Sequence, residues 1–103
     1  GVPMSVLRNL RSGKYAIQEE LDLHGMNATQ ARTALRQFMN ELLMSDTRCV
    51  RIIHGKGLRS GPRGPVLKGK VVEWLPQWDQ VLAFVTAPEN NGGTGAVYVL
   101  LAR

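Results

Sequence analysis

The chain has 103 residues, of which 44% are hydrophobic and 20% are charged, so we expect one domain with one buried core and exclude disorder. Its formal net charge of +5 and isoelectric point near 10.0 favour a polyanionic partner, and nucleic acid is the commonest such partner. The single cysteine, Cys49, excludes an internal disulfide and a cysteine zinc cluster, and is consistent with a reducing, cytoplasmic location.

The sequence does not indicate a membrane protein. No apolar run approaches the roughly 20 residues that cross a bilayer. We expect no membrane partner, although the charge alone does not separate nucleic acid from an anionic membrane surface. The first residues lack the basic and apolar regions of a signal peptide. Because the chain starts with Gly1 rather than Met, we expect N-terminal sequence to be missing.

The first half of the chain predicts a short helix, a strand and a long helix. Residues 4–10 favour a short helix that Gly13 ends, and residues 20–24 alternate as a strand does. Asn27 has the character of a helix N-cap, and Gln30 completes a capping-box pattern. The helix that follows carries an apolar stripe at three- and four-residue steps, which must be buried: Ala31, Leu35, Phe38, Met39, Leu42 and Leu43.

The second half of the chain predicts a second strand, a second long helix and then two further strands. Residues 49–54 form a nearly continuous apolar run, which is typical of a central parallel strand. A loop rich in Gly, Arg and Pro follows, and Pro65 suits the first turn of the second long helix. That helix has one apolar face: Leu67, Val71, Trp74 and Leu75. Residues 81–85 and 96–101 are the third and fourth strands, most simply an antiparallel pair joined by a glycine-rich loop.

The element order β-α-β-α-β-β predicts an α/β fold. Right-handed crossovers place both long helices on one face of the sheet. We therefore expect a two-layer sandwich with a four-stranded mixed sheet and two helices on one face. Residues 1–18 are expected to form an N-terminal extension with a short helix, and residues 19–103 the domain proper.

The two histidines close the first two predicted strands in matched endings, Leu-His-Gly at residues 23–25 and Ile-His-Gly at residues 53–55. Because open α/β sheets bind ligands at the carboxyl ends of parallel strands, both rings are site candidates. Asp22 leaves the same face as His24, and a neighbouring carboxylate fixes the tautomer of a general base or of a metal-bound histidine. An ordinary strand-end histidine fits this spacing equally. His54 shares a face with apolar strand residues, which predicts a partly packed ring.

Residues 54–57, His-Gly-Lys-Gly, favour anion binding, because flexible glycines let backbone N–H groups turn toward an anion and Lys56 adds a positive charge. A tight turn alone would also explain these glycines. Residues 92–95, Gly-Gly-Thr-Gly, form either a simple hairpin connection or a loop that helps to hold a phosphate. Residues 54–72 carry five basic residues and no acid, which indicates a polyanion beside the site: Lys56, Arg59, Arg63, Lys68 and Lys70.

Taken together, these motifs resemble those of the Smr (small MutS-related) domain family. Residues 22–25, Asp-Leu-His-Gly, resemble its first signature, and residues 54–57 resemble its second. Residues 92–97, Gly-Gly-Thr-Gly-Ala-Val, are similar to its third, glycine-rich segment. The resemblance covers residues 7–103 and is nearest to the stand-alone bacterial form. The loop after Gly57 is longer and richer in Pro and Arg than in many members.

The resemblance implies a domain that binds nucleic acid or cleaves its phosphodiester bonds, and we expect first an endonuclease that nicks DNA. In this hypothesis His24, oriented by Asp22, is the general base or holds a catalytic water, and His54 is the leaving-group acid or a second phosphate contact. The residues expected to bind the reacting phosphate are Gly55, Lys56, Gly57, Gly93 and Gly95. Those expected to bind flanking phosphates are Arg59, Arg63, Lys68 and Lys70.

DNA and RNA make different chemical demands on such a site. RNA supplies its own 2′-hydroxyl nucleophile, so two imidazoles could cleave it without metal and leave 2′,3′-cyclic phosphate ends. DNA needs an activated water, for which Mg²⁺ or Mn²⁺ is the expected cofactor, although only Asp22 and the histidines offer obvious ligands. A non-catalytic nucleic-acid-binding module is an alternative of a different class. An adaptor for a partner protein is least supported, since no exposed apolar stripe is evident.

Overall fold

The computed structural model describes residues 2–57 and 66–102. This part of the chain forms three α-helices and four strands: α1 (Met4–Arg11), β1 (Glu19–Asp22), α2 (Ala28–Leu43), β2 (Cys49–Ile53), α3 (Val66–Trp74), β3 (Val81–Thr86) and β4 (Ala96–Leu101). Short 3-10 turns occupy Leu75–Gln77, Glu89–Asn91 and Gly93–Gly95. The predicted helix start at Pro65 lies outside the described residues. None of the helices within them has both the length and the hydropathy needed to cross a bilayer.

The strands form one mixed sheet in the order β1-β2-β4-β3. β1 and β2 are parallel, and β4 runs antiparallel to both β2 and β3. This arrangement confirms the predicted α/β fold, including the antiparallel pairing of the last two strands. Asp22 at the end of β1 lies beside Ile53 at the end of β2, so the carboxyl ends of both parallel strands meet at one edge of the sheet.

α2 and α3 cover one face of the sheet, as the crossover rule predicts. Four positions of the predicted α2 stripe are fully packed: Ala31, Leu35, Met39 and Leu42. They share one core with Val50 and Ile52 from β2, and with Val71 and Trp74 from α3. The prediction that Leu43 is also buried is wrong. Adjacent helix residues point about 100° apart, so Leu42 faces the sheet and Leu43 is exposed.

The start of α2 is fixed by a reciprocal cap. The Asn27 side-chain oxygen accepts a hydrogen bond from the Gln30 backbone N–H at 2.8 Å. The Gln30 side-chain oxygen in turn accepts one from the Asn27 backbone N–H at 3.0 Å. The capping box predicted from Asn27 and Gln30 is therefore confirmed. The cap residue Asn27 lies two residues after Gly25 and α2 begins at Ala28, so the chain leaves the sheet edge soon after His24.

The opposite face of the sheet is covered by α1, which packs on β3 and β4. Leu10 on α1 is fully buried in this second core, among residues that include Tyr98 and Leu100. Cys49 lies in the same core, and burial raises the pKa of its thiol to about 11. The thiol is therefore protonated at neutral pH and is a buried structural side chain, as its position in an apolar run predicts.

Candidate functional site

Asp22 and His24 form a hydrogen-bonded pair at the exposed end of β1. One carboxylate oxygen of Asp22, Oδ1, lies 2.6 Å from Nδ1 of the His24 ring and accepts the His24 backbone N–H at 3.0 Å. The pKa of Asp22 is lowered, chiefly because the His24 ring donates to its carboxylate, with a smaller contribution from the charge of Arg51. An ionised carboxylate places the ring proton on Nδ1 and leaves the Nε2 lone pair open. The His24 side chain is 69% exposed, so Nε2 is accessible to a substrate.

His54 has opposite surroundings. It lies on the face of β2 that α2 and α3 cover, and only 4% of the residue is exposed. Nδ1 donates to the Gly55 carbonyl oxygen at 2.8 Å, and within the described residues Nε2 has no hydrogen-bond partner. Burial lowers the pKa of His54, the positive charge of Lys68 lowers it further, and the bond to Gly55 opposes both effects. The fold therefore holds this ring in its neutral form.

The three glycine-containing motifs meet at one edge. Gly55 has φ +87°, a conformation that favours glycine, and a Cβ added there would lie 3.4 Å from the His24 Cβ. The Gly95 carbonyl oxygen accepts the backbone N–H groups of both His54 and Gly55, each at 3.0 Å. A Cβ added at Gly95 would lie only 3.0 Å from Cγ of Lys56. The loop before β4 is therefore packed directly against the Gly-Lys-Gly segment.

The backbone N–H groups of the predicted phosphate contacts Gly93 and Gly95 are used within their own loop. Gly93 N–H donates to the Pro88 carbonyl oxygen at 3.0 Å, and Gly95 N–H donates to that of Gly92 at 2.9 Å. Both glycines are buried, and the Glu89 carboxylate lies against Gly93. In this geometry the loop packs against Lys56 and its own backbone uses both amides. A direct phosphate contact from either glycine stays a prediction.

The basic residues expected to bind phosphates differ in their placement. Lys56 is exposed beside the strand ends, with its side chain over Gly95. Lys68 is half-buried on α3, close enough to His54 to lower its pKa. Lys70, two residues further along α3, is exposed. The predicted contacts from Arg59 and Arg63 lie outside the described residues.

The described part of this edge does not provide enough side chains for an all-protein metal cage. Across residues 2–57 and 66–102, no three His, Cys, Asp or Glu side chains are grouped so that they could hold a metal ion. Asp22 and His24 could supply two ligands, but the Asp22 Oδ1 and the His24 Nδ1 are bonded to each other. The described residues thus offer no all-protein cage for the predicted Mg²⁺ or Mn²⁺, and Asp22 Oδ2 and His24 Nε2 are the ligand atoms of this pair that are left open.

The sequence reasoning missed Arg51 and Asn91. The Arg51 side chain donates through Nε to Glu20 Oε2 at 2.8 Å, and Nη2 bonds the same oxygen. Nη1 donates to the backbone carbonyl of Asn91 at 2.9 Å and also to its side-chain oxygen. One signal was available, because Arg51 is a single charge inside the apolar run of residues 49–53. Asn91, in an irregular loop, gave none.

Comparison with known proteins identifies the family. A family model for the Smr domain matches residues 21–102. The chain is 37% identical over 103 residues to "Probable DNA endonuclease SmrA" of Escherichia coli strain K12, which covers 100% of this chain and 55% of that protein. It is 36% identical over 102 residues to "Ribosome rescue factor SmrB" of Aliivibrio salmonicida strain LFI1238, covering 99% of this chain and 54% of that protein. The chain thus spans about half the length of the curated relatives it matches.

A solved structure gives the same answer for the fold. The crystal structure of YdaL, a stand-alone small MutS-related protein from Escherichia coli, superposes with a TM-score of 0.84 and 37% sequence identity. The match covers 100% of this chain and 79% of that chain. The fold is therefore the one that the sequence resemblance implied, and the chain belongs to the Smr domain family.

Proposed function

We propose that the protein is an endonuclease that cleaves phosphodiester bonds in nucleic acid, with DNA as its first substrate. The observation that carries the proposal is the exposed Asp22–His24 pair, with 2.6 Å between Oδ1 and Nδ1, beside the edge that holds Lys56. The relative named "Probable DNA endonuclease SmrA" supports the choice of DNA. The net charge of +5 supports a polyanionic substrate.

In this mechanism His24 is the general base. Its Nδ1–H is donated to the Asp22 carboxylate, which fixes the ring orientation, and Nε2 takes a proton from the attacking oxygen. For DNA that oxygen belongs to a water. The oxygen attacks phosphorus, the P–O bond to the leaving oxygen breaks, and that oxygen receives a proton from solvent or from the charged His24 ring.

Lys56 and the backbone at Gly55 and Gly57 have the second role, which is to stabilise negative charge that develops on the phosphoryl oxygens. Lys56 is exposed and lies next to Gly95, at the same edge as the His24 ring. A fixed positive charge at this point stabilises the transition state more than the ground state, since charge on the phosphoryl group is redistributed during attack. Lys68, Lys70, Arg59 and Arg63 would bind flanking phosphates without reading sequence.

His54 has a positioning role in this proposal. Only 4% of the residue is exposed, which does not support the use of His54 as a leaving-group acid. Its Nδ1 instead holds the Gly55 carbonyl, next to the amide that bonds Gly95. His54 thereby fixes the turn from which Lys56 projects.

RNA is a second candidate substrate, and one feature of the site favours it. A substrate that carries a 2′-hydroxyl nucleophile needs only one oriented base, which the Asp22–His24 pair provides. The relative named "Ribosome rescue factor SmrB" also makes RNA worth testing. Cleavage through the 2′-hydroxyl would leave 2′,3′-cyclic phosphate ends and would continue in EDTA.

The test compares supercoiled plasmid and a single-stranded RNA, each with and without EDTA. Wild type is expected to relax the plasmid, and His24→Ala to lower the rate at least ~100-fold, because general bases contribute about that much or more. Asp22→Asn should lower the rate about 10-fold or more by releasing the ring, while Asp46→Asn, an exposed carboxylate outside the site, should match wild type.

Each other outcome has a definite meaning. If RNA is cleaved while the plasmid stays intact, RNA replaces DNA as the proposed substrate. Binding of either nucleic acid without cleavage would make the protein a non-catalytic binding module. Equal nicking by wild type and His24→Ala would remove the catalytic assignment.

A further inference from the structure

Arg51 connects β1, which ends at Asp22, with the loop that precedes β4. Its side chain lies on the face of the sheet opposite α2 and α3. Arg51 lies in the middle of β2, in register with Glu20 on β1, two residues before Asp22. Glu20 accepts hydrogen bonds from Nε and Nη2, and Asn91 accepts two from Nη1. Only 20% of the Arg51 side chain is exposed. One guanidinium therefore joins β1, β2 and the loop that precedes β4.

The loop that Arg51 contacts extends to Gly55 and Lys56, the residues proposed to bind the reacting phosphate. The Asn91 side chain also donates to the Tyr98 hydroxyl on β4, which anchors it on a second side. Four residues further on, Gly95 accepts the amides of His54 and Gly55 and packs against Lys56. Gly92, the first glycine of the loop, has φ +113°, and a Cβ there would lie 2.8 Å from the Ala96 Cβ. The segment between Asn91 and Gly95 thus has little freedom to adjust.

We propose that Arg51 is a positioning residue, which sets the loop of residues 91–95 against Gly55 and Lys56 and so shapes the phosphate-binding edge. This inference rests on the proposed function. Arg51 does not itself bind the substrate, because its charge is paired with Glu20 and its donors are directed to Glu20 and Asn91. The planar fork of arginine is needed to reach both partners at once, which the single ammonium of lysine cannot do.

The experiment uses Arg51→Lys, Arg51→Gln, Asn91→Ala and the double variant Arg51→Lys with Asn91→Ala. Arg48→Lys is the matched control, since Arg48 precedes β2 by one residue but lies over the Tyr15 ring, 5.9 Å from its centroid. Amide NMR spectra are recorded without nucleic acid, and the Kd for a DNA duplex is measured at fixed ionic strength. Thermal unfolding defines a temperature at which every variant is folded.

Arg51→Lys is expected to shift the Gly55 and Lys56 amide signals and to raise Kd about 10-fold, which corresponds to a loss of about 1.4 kcal/mol. Asn91→Ala should shift the same amides, and the double variant should lose less than the sum, because both changes break one connection. Arg51→Gln should leave the slope of log Kd against log salt unchanged, as expected for a residue that contacts no phosphate.

Four results would overturn the inference: unshifted Gly55 and Lys56 amides in Arg51→Lys, a Kd for Arg51→Lys equal to that of Arg48→Lys, additive losses in the double variant, or a shallower salt slope in Arg51→Gln. Failure of the proposed function looks different. In that case wild type does not cleave nucleic acid, whether or not it binds it, and the amide shifts still report whether Arg51 positions the loop.

Discussion

The His54 ring is packed in the interior with Nδ1–H donated to Gly55, and its Nε2 meets no hydrogen-bond donor or acceptor among the described residues. The His24 ring projects from the sheet edge with Nδ1 bound to Asp22. A buried polar atom without a partner reduces stability, and it does so far more when the group becomes charged. At the residue scale, His54 therefore makes the stability of the fold depend on pH.

The stability of the protein is expected to fall as the pH drops below about 6.5. Burial lowers the pKa of His54 below 6.5 in the folded state, so the unfolded state binds more protons as the pH falls through this range. The free energy of unfolding should thus be highest above 6.5 and decrease toward the folded-state pKa, by up to about 1.4 kcal/mol per pH unit. Urea unfolding at a series of pH values measures it.

His54→Gln removes the titrating ring and should flatten this part of the curve, whereas His24→Gln, which removes the exposed ring, serves as its control. A wild-type curve that is level between about pH 7 and about pH 5, or one that His54→Gln leaves unchanged, would contradict the assignment.

At the element scale, α2 determines where the chain leaves the sheet edge. The box between Asn27 and Gln30 satisfies two backbone N–H groups at the start of the helix. The Met26 N–H donates to the Leu23 carbonyl at 3.1 Å, which closes the turn that carries His24. The position of the exposed ring thus depends on a strand end, one turn and one helix start.

Asn27→Ala is expected to lower the free energy of unfolding by about 1 kcal/mol, since a Ser, Thr, Asn or Asp cap typically contributes that much. Asn40→Ala, an exposed position inside α2, is the matched control and should be neutral or slightly stabilising because alanine favours helix. Chemical denaturation of the two variants measures the difference. Equal stabilities would show that the cap is not needed.

Local signals predicted most of these elements, and long-range contacts explain what was missed. The α2 cap, the nearly continuous apolar run of β2 and the partly packed position of His54 follow from residues close in sequence. In the Arg51 network, Glu20 is 31 positions and Asn91 is 40 positions away from Arg51 in the sequence. Strand periodicity predicts which face of the sheet a side chain lies on, but it does not predict the residue that the side chain contacts. Similarly, the sequence did not reveal that Gly93 and Gly95 use their N–H groups internally.

At the scale of the whole molecule, the sheet has a core on each face, and α1 closes the second one. Leu10 is fully buried between the helix and the sheet, whereas Met4 on the same helix is 69% exposed. The predicted division into an extension of residues 1–18 and a domain of residues 19–103 stays a prediction, and the packing of α1 provides a way to test it.

Leu10→Ala is expected to reduce the free energy of unfolding by about 2–5 kcal/mol, the usual range for a buried leucine. Met4→Ala, the exposed control, should change it by less than about 0.5 kcal/mol. Denaturant unfolding of both variants measures the effect. A small loss for Leu10→Ala would mark residues 1–18 as a dispensable extension, and a large loss would make α1 part of the folding unit.

The position of β4 has a consequence for protein synthesis. β4 is the last strand in the chain order, yet it lies between β2 and β3, and all six of its residues are buried. While the chain is being made, β3 has no neighbouring strand until Ala96–Leu101 have left the ribosome. The Gly95 carbonyl reaches the amides of His54 and Gly55 at the same late moment. A nascent chain therefore contains His24 and Lys56 before it contains the loop and the strand that pack against them.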